Sequence, residues 1–225
     1  MKAAAAQSLR IEIAAAAPVS ALLMQPSQAR ACYVFAHGAG AGMTHASMDT
    51  IAMGLAERGI ATLRYQFPYM EKGSRRPDPP AIAHAAVRAA VGEAARCCPG
   101  LPLLAGGKSF GGRMTSQAQA IEALAGVRGL VFLGFPLHAA GKPSDERAAH
   151  LADVKVPMLF LQGTRDDLAQ LDLLRPVVER LGKRATLETF EEADHSFHVP
   201  ARTGRKDAEV MADLLDRLAR WIPSA

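Results

Sequence analysis

A serine, an aspartate and a histidine each follow a short apolar segment of this sequence, and these three residue types together can perform acyl transfer. Ser109 is the central residue of the pentapeptide GKSFG at 107–111, which matches the G-x-S-x-G pattern of a nucleophile on a tight strand-to-helix turn. Asp166 and His195 lie just past two later apolar segments. A serine hydroxyl becomes a nucleophile when a histidine accepts its proton and an acid orients that histidine. The residues and their order in the chain therefore predict a Ser-His-Asp triad of Ser109, His195 and Asp166.

Two neighbouring residues are alternatives for these roles. Asp167 could supply the acid, but Asp166 follows the glycine that ends the preceding segment at the shorter spacing, and Asp167 suits a helix N-cap. His198 could act as the base, and the pair His195-x-x-His198 could bind a metal ion. Two histidines without a cysteine or a group of carboxylates make a poor zinc site, so we expect no metal and no cofactor.

A loop of small residues, HGAGAGM at 37–43, follows an earlier apolar segment. Such a loop leaves backbone N–H groups open to an anion. We expect the N–H groups of Ala39 and Phe110 to form an oxyanion hole, which stabilises the transition state of acyl transfer. We expect His37 to order this loop. The dinucleotide fingerprint G-x-G-x-x-G/A is not met, because Met43 occupies its last position.

The tripeptide GKS at 107–109 also resembles the end of a phosphate-binding P-loop. That motif requires a glycine five positions before its last one, and Pro102 stands there. The nucleophile turn is therefore the better interpretation.

Apolar runs alternate with helical patterns along the whole chain, which predicts a mostly parallel sheet with helices on both faces. The predicted strands are 19–24, 32–36, 61–65, 101–105, 129–134, 157–161 and 186–190, with another at 9–13. The predicted helices are 48–58, 80–97, 110–124, 168–181 and 206–221. Because the only flexible stretch, 71–80, is too short for a linker between domains, we expect one α/β domain over residues 1–225.

The composition agrees with a folded globular protein: 225 residues, 49% hydrophobic and 21% charged. No apolar run approaches the ~20 residues needed to span a bilayer, so we expect no contact with membranes. The net charge is +4, but the basic residues are scattered among acids without interleaved aromatics, so we expect no nucleic-acid partner.

The amino terminus and the cysteines bear on the compartment. Polar residues from Gln7 onward interrupt the alanine-rich start, so we predict no signal peptide. The chain has three cysteines, and Cys97 and Cys98 are adjacent, where a disulfide would be strained. Free thiols indicate a reducing compartment, and we predict a cytoplasmic protein.

With these residues assembled, the chain resembles the α/β-hydrolase superfamily over nearly its whole length, and in particular its small dienelactone-hydrolase-like members. Within these, it resembles a bacterial group related to the α/β-hydrolase-like domain of a regulatory subunit of an animal histone-acetyltransferase complex. The segments that carry the resemblance are HGAGAGM at 37–43, RYQFPY at 64–69, GGKSFGG at 106–112 and GFPLH at 134–138. The resemblance implies that Ser109, Asp166 and His195 are the nucleophile, the acid and the base. Dienelactone hydrolases proper use a cysteine nucleophile, so their substrate is not transferred to a chain with Ser109.

Many members of this superfamily insert a helical lid after the strand predicted at 129–134, but the segment 135–156 is too short for one. We therefore expect an open site without a lid domain, and a small ester-type molecule as the substrate. The expected substrate-binding residues are His37, Gly40, Tyr65, Phe135 and His138, with ordinary loop packing as the alternative.

The sequence thus predicts a serine hydrolase of carboxylic esters, thioesters or amides that forms an acyl-enzyme. The alternatives are a catalytically silent domain that binds a partner, and an acyltransferase or perhydrolase of the same fold.

Overall fold

A computed structural model describes residues 5–14 and 16–222, and in them the strands form one eight-stranded sheet in the order β1-β2-β4-β3-β5-β6-β7-β8. The strands are β1 Gln7–Ile13, β2 Ala16–Met24, β3 Ala31–Ala36, β4 Ile60–Tyr65, β5 Leu103–Lys108, β6 Val127–Leu133, β7 Met158–Gly163 and β8 Ala185–Phe190. The pairs β1–β2 and β2–β4 are antiparallel, whereas all pairs among β3 to β8 are parallel.

The helices lie on both faces of this sheet. They are α1 Ala46–Glu57, α2 Pro68–Glu71, α3 Pro80–Cys97, α4 Phe110–Ile121, α5 Leu171–Leu181 and α6 Asp207–Trp221, with 3-10 helices at Glu146–Asp153, Gly182–Arg184 and Ala201–Thr203. Apolar residues of α3, α4 and α5 fill one core against the sheet, and those of α1 and α6 fill the other. Strands such as β3 and β4 are buried on both faces, which explains their continuous apolar sequences.

The predicted mostly parallel α/β architecture is confirmed, and so is the absence of a lid domain. In the described part of the chain, the segment between β6 and β7 contains one short 3-10 helix, Glu146–Asp153, and no helical insertion. No helix in that part of the chain is both long and apolar enough to cross a membrane. The prediction of no signal peptide concerns the amino terminus, of which residues 1–4 lie outside the described residues. The single domain over 1–225 stays a prediction.

Two boundaries differ from the prediction in ways that concern the site. Strand β5 is Leu103–Lys108 and so continues three residues past the predicted end, through two glycines that locally disfavour a strand. Pairing with β3 on one side and β6 on the other overrides that preference. Helix α5 begins at Leu171 instead of residue 168, because the Asp166 carboxylate accepts the N–H of Leu168 at 2.8 Å and holds this stretch as a turn.

Candidate active site

Ser109 lies at the turn that joins the end of β5 to the start of α4. Its φ is 49° and its ψ −116°, a backbone conformation that non-glycine residues rarely adopt. The glycines on either side are required by close backbone contacts: a Cβ on Gly107 would lie 2.3 Å from the carbonyl oxygen of Ala36, and one on Gly111 would lie 2.6 Å from that of His37. The G-x-S-x-G pattern is thus explained by the close approach of β3 to this strained turn.

Asp166 and His195 come from the loops after β7 and β8 and form a hydrogen bond. His195 Nδ1 donates to Asp166 Oδ2 at 2.7 Å, and the side chain of the aspartate is completely buried while that of the histidine is 23% exposed. This bond places the proton of a neutral imidazole on Nδ1 and leaves Nε2 as the acceptor.

Neither Nε2 of His195 nor the hydroxyl of Ser109 forms a hydrogen bond to any other residue that the structure describes, so the two are not joined to each other. Such bonds are commonly long in unliganded hydrolases and shorten when a substrate binds. The structure therefore joins Asp166 and His195 by a hydrogen bond, whereas His195 and Ser109 of the described chain are not joined by one.

Gln162 fixes the acid and was not singled out in the sequence analysis. Its Nε2 donates to Asp166 Oδ2, and its Oε1 accepts the N–H of Phe135 at 2.9 Å, which orients the amide. The second carboxylate oxygen accepts the N–H of Leu168, so the Asp166 carboxylate accepts three hydrogen bonds in all, from Gln162, Leu168 and His195. The signal in the sequence that could have indicated this role is the polar Gln162 near the end of the otherwise apolar β7.

Lys108 connects the turn at Ser109 to the loop that carries His195. Its Nζ donates to the backbone carbonyl of His195 and lies 5.2 Å from the ring centroid of Phe197. Burial lowers the pKa of Lys108 to about 8, and the charges of Asp166 and Asp194 act in the opposite direction. In the sequence, Lys108 stands out only within the patterns around Ser109, and no local signal indicates its contact with the histidine loop.

The two expected oxyanion donors are unengaged. The N–H groups of Ala39 and Phe110 donate to no acceptor within residues 5–14 and 16–222. Phe110 is the first residue of α4, where helix geometry leaves the N–H without an internal partner. The next residue in the loop, Gly40, has a φ of 77° and donates to the hydroxyl of Tyr69 at 3.3 Å.

His37 lies beneath this loop with no exposed surface. Its Nδ1 donates to the carbonyl of Gly38 at 2.8 Å, and its Nε2 accepts the N–H of Phe67 at 3.1 Å. Burial lowers the pKa of His37 to about 4, so the ring is neutral near pH 7. It supports the loop by two backbone hydrogen bonds, from below the surface.

Four of the five residues expected to bind substrate are instead part of the core, which corrects the sequence-based expectation. His37, Tyr65 and Phe135 have no exposed surface, and His138 is 2% exposed. His138 bridges two loops, with Nδ1 donating to its neighbour's carbonyl and Nε2 accepting the N–H of residue 170. Gly40 is the exception, because it is exposed.

The alternative residues lie elsewhere. Asp167 is exposed and is not a helix N-cap, since Gln170 precedes α5. His198 Nδ1 is bound to the carboxylate of Asp207 at 2.8 Å on the surface, and this hydrogen bond raises the pKa of His198.

The order of strands, with a strained serine turn after a central strand and an aspartate and histidine after the last two, defines an α/β hydrolase. A match to the α/β hydrolase domain family spans residues 29–223, and the chain belongs to that family. The resemblance noted from the sequence is thereby confirmed at the level of the family, whereas the relation to the histone-acetyltransferase subunit stays a prediction.

Solved structures of small hydrolases share the fold over nearly their whole lengths. The chain is similar to dienelactone hydrolase from Anabaena variabilis, with 19% identity, a TM-score of 0.79 and 97% of each chain covered. It is similar to a serine hydrolase without lid from Xanthomonas campestris, with 20% identity, a TM-score of 0.75, and 98% and 96% covered. It is also similar to Est1E from Butyrivibrio proteoclasticus, determined with ferulic acid bound, with 17% identity, a TM-score of 0.72, and 94% and 99% covered.

Proposed function

We propose that this protein is a serine hydrolase that cleaves carboxylic esters, or the related thioesters and amides, of small molecules. The observation that carries the proposal is the hydrogen bond of His195 to the buried Asp166, at the edge of the sheet where Ser109 occupies a strained turn. A strained serine and an oriented histidine are costly to maintain in a domain that only binds a partner. Membership of the α/β hydrolase family agrees with this assignment.

In the proposed reaction, His195 Nε2 accepts the hydroxyl proton of Ser109 as the oxygen attacks the carbonyl carbon of the substrate. Asp166 stabilises the imidazolium that forms. The N–H groups of Ala39 and Phe110 receive the oxyanion, and His195 then protonates the leaving group. Water attacks the resulting acyl-enzyme by the same steps in reverse and releases the acid.

The open edge of the sheet supports a small substrate. The segment between β6 and β7 contains only one short 3-10 helix, and the exposed member of the expected binding residues, Gly40, lies in the loop beside the oxyanion donors. The described cysteines, Cys32, Cys97 and Cys98, are all free thiols, which supports our proposal that the protein acts in the cytoplasm.

The experiment is labelling by a fluorophosphonate probe together with hydrolysis of short p-nitrophenyl esters. We expect labelling of the wild-type protein, and loss of both labelling and hydrolysis in Ser109→Ala and His195→Ala. His198→Ala is the matched control, because this histidine is three residues away and bound to Asp207 on the surface. Folded wild-type protein that is neither labelled nor active would refute the proposal in favour of a binding domain. A product that carries an added alcohol or peroxide would show a transferase or perhydrolase instead.

A further inference from the structure

A half-buried arginine whose guanidinium has no hydrogen-bond partner in the described part of the chain lies one helical turn after Ser109. Arg113 is half-buried on α4, and its own N–H donates to the carbonyl of Ser109 at 3.1 Å. The Nε of its guanidinium is buried without a hydrogen-bond partner, and in the described residues its side chain forms no hydrogen bond or ion pair at all. A buried polar group of this kind normally has a partner, because leaving it without one is energetically costly.

Other enclosed arginines of this protein do have carboxylate partners. Arg64, whose side chain is 1% exposed, binds Asp49, and Arg217, at 28% exposed, binds both Glu188 and Asp213. The lack of a carboxylate partner at Arg113 is therefore specific to this site.

A second arginine and a histidine lie near Arg113. The 3-10 helix Glu146–Asp153 packs against α4 and contributes Arg147, which likewise has no ion pair or side-chain hydrogen bond within the described residues, and His150. Burial and the charge of Arg147 both lower the pKa of Arg113. Burial, and then the charge of Arg113, lower the pKa of His150 to about 4.

Helix α3 adds one more histidine and no free acid. His84 Nε2 contacts Gln117 Oε1 at 3.2 Å, and its pKa is lowered by burial and by neighbouring arginines. On the same helix, Arg88 already holds Glu122 at 3.3 Å, so this carboxylate is engaged elsewhere. On the 3-10 helix, Asp153 raises the pKa of His150 only as the last and weakest influence. Within the described residues, the guanidinium groups of Arg113 and Arg147 are thus left without a carboxylate partner.

We propose that Arg113 and Arg147 bind an oxyanion, a carboxylate or a phosphate group, at the junction of α3, α4 and the 3-10 helix Glu146–Asp153. A guanidinium binds both kinds of group through paired N–H donors, and two of them offset a double charge. The anion is either a charged group of the substrate or a separate small ligand. Binding itself does not depend on the proposed hydrolysis, whereas its assignment to the substrate rests on that function.

The first experiment measures binding of inorganic phosphate and of succinate by calorimetry at constant ionic strength. We expect one saturable site in the wild-type protein and affinity reduced about tenfold or more in Arg113→Met and in Arg147→Met, since each removes charged hydrogen bonds. Arg128→Met is the control, because Arg128 is exposed near the start of β6 and forms no ion pair with any residue that the structure describes. No saturable binding by the wild-type protein, or equal losses in Arg128→Met, would overturn the proposal. If one of the two test variants fails to fold, the other decides.

The second experiment distinguishes the two sources of the anion by comparing p-nitrophenyl butyrate with mono-p-nitrophenyl succinate. If the anion belongs to the substrate, wild-type protein prefers the charged ester, and the ratio of the two kcat/KM values falls about tenfold in Arg113→Met. If it is a separate ligand, there is no preference, and phosphate changes the rate on the neutral ester. A wild-type protein that hydrolyses neither ester refutes the proposed function, while the titrations still decide whether the anion site exists.

Discussion

The buried charge of Lys108 makes the protein less stable near neutral pH than it would be with a neutral side chain of the same shape. Burial is the main cause that lowers the pKa of this lysine from its ordinary value of 10.5 to about 8. At about 1.36 kcal/mol for each tenfold change in the proton equilibrium, this difference corresponds to about 3 kcal/mol. The hydrogen bond to the carbonyl of His195, which contributes about 1 kcal/mol, offsets part of that cost. We therefore predict that Lys108→Met stabilises the protein at pH 7 by about 2 kcal/mol.

The sign of the pH dependence follows from the two pKa values. Below pH 8 the lysine is protonated in both the folded and the unfolded protein, so the full cost of the buried charge is present. Between pH 8 and 10.5 the folded protein loses its proton first, so the unfolded state binds more protons and the free energy of unfolding rises with pH. The advantage of Lys108→Met is therefore expected to shrink across this window and to vanish near pH ~9.5. Near pH 10.5 the wild type should be more stable by about 1 kcal/mol, because the neutral amine still donates its hydrogen bond.

The measurement is urea-induced unfolding of the wild-type and Lys108→Met proteins at several values of pH from 7 to 10.5. Groups that titrate in both proteins cancel in the difference, which isolates Lys108. Lys155→Met is the control, because Lys155 is exposed, and its stability should stay within about 0.5 kcal/mol of the wild type throughout. A difference between wild type and Lys108→Met that is independent of pH, or a loss of stability at pH 7, would refute the reasoning.

The same substitution is expected to slow catalysis, because Lys108 is the residue that ties the backbone of His195 to the strand before Ser109. We expect kcat on a p-nitrophenyl ester to fall about tenfold, which is close to the ~1 kcal/mol that this hydrogen bond contributes, with a smaller change in KM. Lys108→Arg should recover part of the rate because it keeps a donor for this carbonyl. A variant that is both more stable and fully active would show that the contact does not position His195.

Three further predictions concern the support of the site. Asp166→Asn should lower kcat by about 10⁴ without loss of folding, because the amide favours the wrong imidazole tautomer; circular dichroism and ester kinetics check this. Gly106→Ala should prevent folding or cost more than about 3 kcal/mol, since its Cβ would lie 1.9 Å from the carbonyl oxygen of Val131. Gly92→Ala is the control, because a Cβ there would meet no described atom within 4 Å. It should stabilise α3 by up to about 1 kcal/mol, as measured by urea unfolding. Gln162→Leu should lower kcat on a p-nitrophenyl ester, because Asp166 loses a hydrogen-bond donor that orients it; an unchanged kcat would contradict this.

Local sequence patterns were sufficient to predict the fold and the position of the Ser109 turn. Each of these features depends on residues close together in the chain: alternation of apolar and amphipathic segments for the sheet, and glycines two positions from the serine for the turn. The end of β5 could not be predicted in the same way. Gly106 and Gly107 disfavour a strand by themselves, and only pairing with β3 and β6, which are distant in sequence, extends it to Lys108.

The surroundings of the site could not be predicted because they depend on where side chains point. Tyr65 and Phe135 were expected beside the cleft since both lie at the carboxyl ends of strands, and the parallel register does bring those ends to one edge. Whether a side chain at such an end faces the cleft or the core depends on the strand register and on the adjoining loop. Both are completely buried here. The role of Lys108 was hidden for the same reason, since its partner is a backbone carbonyl 87 residues away in the chain.

Gly134, directly after β6, packs closely against both Lys108 and His195. Its φ is 68°, and a Cβ at this position would lie 3.0 Å from Lys108 Nζ and 3.2 Å from Cε1 of His195. Gly134→Ala therefore adds a backbone strain that is independent of Lys108 and a steric conflict that depends on it. In a double-mutant cycle the strain cancels, and the remaining coupling between Gly134→Ala and Lys108→Met should be about 0.5–2 kcal/mol, with the alanine less harmful when the ammonium is absent. Additive effects on the free energy of unfolding would show that Gly134 is required only for its backbone conformation.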